Sequence, residues 1–393
     1  MQKKTPSALW IALCLLSFAA SGCTSANQNS NQADPVAQTA APQRAAKWVA
    51  QFRSPSSAGY AGPNLGVFSY ASISVVSPSV VFVAGDMPDS KNAEGRAGVV
   101  VHTTDGGRNW KETVVRPPGM EIPTLNGIHF VDQNTGWAVG LDSKDNGVVL
   151  KTVDGGASWS AQKLTFKQRP SCIFFVDSSN GWMGGGTPLP EDEESEGGPS
   201  DLLATTDGGA TWKSARRLPV TIRDVFFLDK SRGWAAGYRG AIYQTTDGGT
   251  SWVQQRSELE VPEGSARTTG EMGQRFSITG IQFLDPQNGW ASASADEANA
   301  GRALGTNNGG TTWVRRWIVA DSGVNDIFFL SPTVGWAATN RGRFIYHTPD
   351  GARSWFSEPI IFEQELPIYR LAGADLNHVW AVGGGAIYAR MVE

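Results

Sequence analysis

The stretch Thr246-Asp247-Gly248-Gly249-Thr250-Ser251-Trp252 constrains the fold most, because the chain writes it repeatedly. Versions end at Trp110, Trp159, Trp212, Trp252, Trp313 and Trp355, at spacings of 40 to 61 residues. The fifth carries Asn308 in place of the Asp, and the sixth carries Ala352 in place of the second Gly. A recurrence of this length marks a repeat architecture. The chemistry of each copy is that of a tight hairpin turn. The Asp accepts backbone N–H groups, the glycines supply positive φ, and the Trp opens the returning strand and is expected to pack outward.

A second unit alternates with the first. It reads Ile128-His129-Phe130-Val131-Asp132, three spacers, then Gly136-Trp137-Ala138-Val139-Gly140, and it recurs from Ile173, Val225, Ile281, Ile327 and Leu371. An earlier relative from Ile73 has Phe82 where the others have Trp, making seven copies. Each is two short apolar runs around a turn, hence a hairpin of buried strands. A third strand, the Asp turn and a fourth strand follow all copies but the last. Four strands in each of seven repeats predict an all-β fold, a seven-bladed β-propeller.

The last copy ends without the Asp turn or a fourth strand, whereas Trp48-Val49-Ala50-Gln51-Phe52 precedes the first copy as a spare. The N-terminal strand is therefore expected to complete the last blade. Of 15 tryptophans, six lie in the Asp turns, six in the Gly-Trp units and one, Trp48, in the closing strand. Blade packing, and not an aromatic ligand platform, is their expected role.

Residues 1–22 read as an export signal: Lys3 and Lys4 precede an apolar run too short to span a bilayer. The run ends in Ala20-Ser21-Gly22-Cys23, similar to a bacterial lipobox, which makes Cys23 the expected lipidation site. Residues 23–47, rich in Asn, Gln, Ala and Ser, read as a flexible tether, and residues 48–393 as the propeller. This predicts a lipid-anchored protein on the non-cytoplasmic side of a membrane, in a thylakoid lumen or periplasm. Cys172 then remains alone in an apolar strand and is expected to be a buried thiol. His102, His129, His347 and His378 are scattered, no zinc spacing occurs, and no metal or cofactor is expected. A net charge of −4 excludes nothing but argues against a nucleic-acid partner.

Propeller connectivity places the Asp turns at one end and the more variable loops at the other, where function usually sits. Arginines gather there. Arg239, Arg341 and Arg343 lie in or beside short loops, while Arg169, Arg223 and Arg370 fall just before innermost strands, with Arg275 slightly earlier. Converging guanidinium groups suit a carboxylate or an acidic peptide. The same end carries the acidic run Glu191-Asp192-Glu193-Glu194-Ser195-Glu196, a candidate competitor for those arginines. The alternative is solvated rim charge paired with Asp224 and Asp326.

The Asp turn is the Asp-box, or BNR repeat. Seven copies of IxFxDxxxGWAxG with TDGGxxW behind a lipobox resemble the photosystem II stability and assembly factor family, over residues 48–393. The resemblance implies a non-enzymatic chaperone of the thylakoid lumen that binds a newly made reaction-centre subunit, a membrane protein, and carries an arginine patch on one face; a monomer is expected. By repeat position that patch falls on Arg223, Arg239, Arg341 and Arg370. The rivals are a glycoside hydrolase, since sialidases and some glucanases also carry Asp-boxes, and a general cell-envelope interaction module. Phe52-Arg53-Ser54-Pro55 is faintly similar to a sialidase signature but lacks its Ile. Asp224 and Asp326 occupy matching places two blades apart, where other repeats hold Gly127, Cys172 and Gly280. No catalytic residue is assigned.

Overall fold

The computed structural model describes residues 46–54, 69–89, 91, 95–187, 198–257, 276–295, 301–319, 322–340, 344–361 and 367–392. Among them the regular structure is strand, apart from one 3-10 turn at Tyr238–Gly240. The chain is an all-β propeller of four-stranded antiparallel runs, formed by consecutive strands except where the N-terminal strand joins the last three. One run, for example, is Arg169–Phe175, Gly181–Gly186, Ser200–Thr205 and Lys213–Leu218, innermost strand first. Alternation sets the faces: Ile222, Val225 and Phe227 are buried along an innermost strand, while Arg223 between them is exposed.

The N-terminal strand, Ala46–Arg53, lies between two strands from the other end of the chain. It pairs antiparallel with Ala386–Val392, Trp48 opposite Arg390, and parallel with Phe356–Ile361, Trp48 opposite Ile360. The strand begins two residues ahead of the boundary expected at Trp48. Innermost strands pack one against the next, and Ser69–Val75 also packs against Ile368–Asp375, the last of them.

Between neighbouring runs the aromatic repeats interlock. Trp182 stacks on Phe227 of the following run with centroids 3.5 Å apart, and Trp252 of that following run meets the same Phe edge-on at 6.0 Å. The same sandwich recurs around Phe175, Phe283 and Phe329. It recurs around Phe130 with Phe82 in the stacking place, so the Phe that departs from the repeat keeps its job. Stacked and edge-on pairs each add about 0.5–1.5 kcal/mol beyond burial. Four of the six Asp-box tryptophans do not pack outward: Trp159, Trp212, Trp252 and Trp313 are buried, and Trp110 and Trp355 are half-buried. A strand-opening Trp is drawn inward by the Phe that the same run offers it.

The Asp-box itself is a closed hydrogen-bond circuit. Asp247 Oδ1 accepts from Thr245 Oγ1 at 2.8 Å and from Ser251 N at 2.9 Å, while Gly249 N donates to Thr245 Oγ1 at 2.8 Å. Gly248 and Gly249 stand at φ 75° and 97°, the left-handed region that glycine enters at no steric cost. Asn308 reproduces the acceptor in the fifth box, and Ala352 takes φ 71° in the sixth. The Thr two residues before each Asp or Asn is as regular as the Asp, a feature the motif reading passed over. These aspartates serve the turn: the circuits pull the carboxyls of Asp105, Asp154 and Asp247 down to about 2. Three circuits also reach a neighbour, since Trp137, Trp182 and Trp234 donate their indole N–H to the carbonyls of Gly208, Gly248 and Gly309.

Candidate binding mouth

Among the described residues seven innermost strands carry a β-bulge at the same place, between Tyr70 and Ser72, Leu125 and Gly127, Pro170 and Cys172, Ile222 and Asp224, Ile278 and Gly280, Val324 and Asp326, and Ile368 and Arg370. A bulge inserts one unpaired residue and re-aims the side chains beside it. The inserted residues are Ala71, Asn126, Ser171, Arg223, Thr279, Asn325 and Tyr369, and all seven line one cavity of about 420 Å³. The residues one step further on, among them Ser72, Cys172, Asp224, Asp326 and Arg370, line a second cavity of about 210 Å³ deeper between the innermost strands. The bulges therefore sort consecutive positions into two tiers, a mouth and an inner channel.

Side chains of both tiers tie neighbouring strands together. Asn126 Nδ2 donates to Pro170 O at 2.9 Å, Ser171 Oγ to Ile222 O at 2.6 Å, and Asn325 Nδ2 to Ile368 O at 2.7 Å. In the inner tier Asp224 Oδ2 accepts from Ile281 N at 2.9 Å and Asp326 Oδ2 from Leu371 N at 2.8 Å. The two carboxylates thus each hold the next innermost strand. Gly280 is small because a Cβ there would collide with the Asp326 carboxylate.

The predicted arginines divide. Arg169, Arg223 and Arg370 come together around the mouth cavity. Arg223 is exposed, with its guanidinium carbon 5.5 Å from the Tyr238 ring centroid and Nη1 donating to Tyr238 Oη at 3.3 Å. Arg169 is exposed and paired with Asp145, Nε to Oδ2 at 3.0 Å. Arg239 sits in the left-handed region at φ 59°, on the turn that presents Tyr238, and is not among the residues lining the cavity. Arg341, Arg343, Arg275, Cys23 and the acidic run at 191–196 lie outside the described residues.

Arg370 corrects the expectation of an exposed rim charge just before its strand. It is the third residue of Ile368–Asp375 and occupies the inner-tier position, matching Asp224 and Asp326 and not Arg223. Its Nη1 donates to Thr279 O at 2.6 Å and stands 3.6 Å from Asp326 Oδ1. Its side chain keeps 23% of its surface and lines both cavities. Burial pushes the Asp326 carboxyl up to about 7, against the pull of Arg370 and of the Leu371 N–H, with Asp224 adding to the rise. Asp224 moves up for the same first reason. Burial works to lower the Arg370 guanidinium, and Asp326 and Asp224 more than offset it.

Cys172 is buried as expected, its thiol pushed up to about 12 by burial and then by Asp224, which leaves no thiolate for nucleophilic work. Among the described residues no group of three His, Cys, Asp or Glu is arranged to hold a metal ion.

The chain matches the family model for the photosynthesis system II assembly factor YCF48 over residues 118–270. It is 25% identical over 234 residues to the photosystem II assembly lipoprotein Ycf48 of Synechococcus sp. (strain CC9902), an alignment covering 58% of this chain and 60% of the relative. Among solved structures, YCF48 bound to D1 peptide aligns with a TM-score of 0.57 at 16% identity, covering 83% of this chain and 94% of that one. A GH74 xyloglucanase from Xanthomonas campestris aligns with a TM-score of 0.53 at 11% identity, covering 80% and 50%. At these identities the structural likeness establishes the fold alone, and that fold holds a peptide binder and a glycosidase alike. The sequence relative is itself named as an assembly lipoprotein, and the chain spans about 60% of its length.

Proposed function

We propose that this member of the photosystem II stability and assembly factor family is a non-enzymatic assembly factor that takes an acidic segment of a photosystem II subunit at its arginine mouth. The observation that carries the reading is the convergence of Arg169, Arg223 and Arg370 on one cavity of about 420 Å³. A carboxylate entering there meets the Arg223 guanidinium against Tyr238, with Asn126, Ser171 and Asn325 beneath. Arg223 and Arg239 belong to the exposed part of the surface and carry the approach. The named peptide partner of the solved YCF48 complex supports a reaction-centre subunit as the class of ligand.

The propeller is read as seven blades closed by the N-terminal strand, which the sheet order supports by seating Ala46–Arg53 beside Ala386–Val392. Lipidation of Cys23 after removal of residues 1–22 would hold this monomer at the lumenal or periplasmic membrane face by the tether at 23–47. Relatives named as lipoproteins favour the anchor, and among the described residues no helix is long and apolar enough to cross a membrane.

Hydrolase chemistry is not favoured. Glycoside hydrolysis needs two carboxyl groups free to face a substrate. Asp224 and Asp326, the matching pair, are each engaged by the backbone of the next strand. The test is recovery of partners from detergent-solubilised photosynthetic membranes with the parent protein and with Arg223→Ala/Arg239→Ala. Loss of a photosystem II subunit with the variant is expected. Equal recovery by both proteins overturns the mouth as the site.

A further inference from the structure

Arg370 stands at the boundary of the two tiers. Above it is the mouth; below and beside it are Asp326 and Asp224. A guanidinium carries five N–H donors. Among the described residues its hydrogen bond is to Thr279 O, and Asp326 Oδ1 at 3.6 Å lies beyond hydrogen-bonding reach. Among the described residues its other N–H groups make no hydrogen bond, and its side chain lines the mouth cavity. Asp326 is held differently on its two oxygens, Oδ2 by the Leu371 N–H and Oδ1 toward Arg370.

Resting on the mouth as a carboxylate site, we infer that binding there is coupled to proton uptake: an incoming carboxylate takes over the Arg370 charge, and Asp326 accepts a proton at Oδ1. Three carboxylates cannot all be neutralised by one guanidinium in so enclosed a place, and the least hydrated of them takes the proton from solvent. Burial has already brought Asp326 to about 7, so the exchange falls in the neutral range. The other groups facing the pair do not titrate there. Cys172, beside Asp224 and Arg370, stays a thiol at about 12, and His129 in the inner cavity is held neutral by burial at about 4. Arg223 acts on Asp224 through its charge, and Arg370 is held charged by Asp326 and Asp224. Asp224 is the coupled partner, and protonation of either carboxyl relieves the other.

The probe is a tetramethylrhodamine-labelled octapeptide of alternating alanine and glutamate with a free C-terminus, its carboxylates ionised above pH 6. Its affinity is measured by anisotropy at pH 8 and pH 6 at constant ionic strength, beside an amidated glutamine version. The wild type should bind about five-fold tighter at pH 6, the change expected if occupancy raises the Asp326 pKa by about one unit. Asp326→Asn, which keeps an acceptor for the Leu371 N–H, should bind equally at both values. Arg223→Ala should weaken binding at both and preserve the ratio. Equal affinity of the wild type at the two pH values, or an unchanged ratio in Asp326→Asn, overturns the coupling while leaving the mouth as the site. No preference for the acidic peptide at either pH overturns the mouth reading and the coupling with it.

Discussion

The indole N–H of Trp48 donates to the Glu358 carboxylate at 3.0 Å across 310 residues of sequence. The same carboxylate accepts Arg390 Nε and Nη2, at 3.0 and 2.8 Å, and His347 stands 3.9 Å away. Both Glu358 and Arg390 are buried, and the Arg390 guanidinium lies 5.3 Å from the Trp336 ring centroid. Three strands from opposite ends of the chain thus meet on one buried ion pair. Removing one partner of such a pair strands a charge, at a cost of about 3–5 kcal/mol.

Glu358→Gln should therefore destabilise the propeller more than an exposed Glu→Gln change, and Trp48→Ala should cost about 3–5 kcal/mol through the cavity it leaves. Trp48→Phe should cost less, on the order of 1–3 kcal/mol, because it removes the N–H and keeps most of the packing. Deletion of residues 47–53 exposes the edge of Ala386–Val392 and should lower the melting temperature of the whole domain. Denaturant unfolding of the four proteins checks the order.

The aromatic sandwich makes a second prediction. Phe227→Ala removes the ring shared by Trp182 and Trp252 and should cost about 3–5 kcal/mol. Phe227→Leu should recover part of that, since it refills the space without the stacking faces. A Phe227→Leu variant as stable as the parent would show that volume alone matters there.

In the Asp-box, Thr245→Val should be nearly as damaging as Asp247→Ala, because the Gly249 N–H and the Asp247 carboxylate both depend on the Thr hydroxyl. The Thr245 loss is expected at roughly 1–2 kcal/mol. Thermal melts of the two single variants and the double, as a cycle, should show strong non-additivity.

Stability should respond to pH in two opposite ways. Asp326 is raised from 3.8 to about 7 on folding, so its contribution is full below 3.8 and is lost as pH rises through 7. The loss is on the order of a few kcal/mol. Asp105, Asp154 and Asp247 are lowered to about 2, so theirs holds above 3.8 and is lost as pH falls through 2. Urea titrations from pH 4 to 7 should show a decline that Asp326→Asn flattens.

Much of this was legible in the residues because it is local. The Asp-box is seven consecutive residues whose turn chemistry needs no partner, and its recurrence fixed the four-stranded runs. Arg223 was legible for the same reason, lying beside a repeat whose phase was known. Arg370 was misplaced by one residue because a bulge shifts the phase inside each innermost strand, and no residue type marks that bulge. The Thr245 position was readable in every copy, yet its role depends on the Gly249 N–H in three dimensions. The inward turn of Trp252 depends on Phe227, and the Trp48 contact with Glu358 joins strands that only the closed sheet brings together.

Which end of the propeller meets the partner is the point on which the functional account rests. A photo-crosslinking residue at Tyr238, on the mouth, and at Thr250, on an Asp-box, would report it in photosynthetic cells. The account predicts a crosslink to a photosystem II subunit from position 238 and none from 250, lost at 238 when Arg223 is replaced by Ala. A crosslink to that subunit from 250 with none from 238 would contradict it.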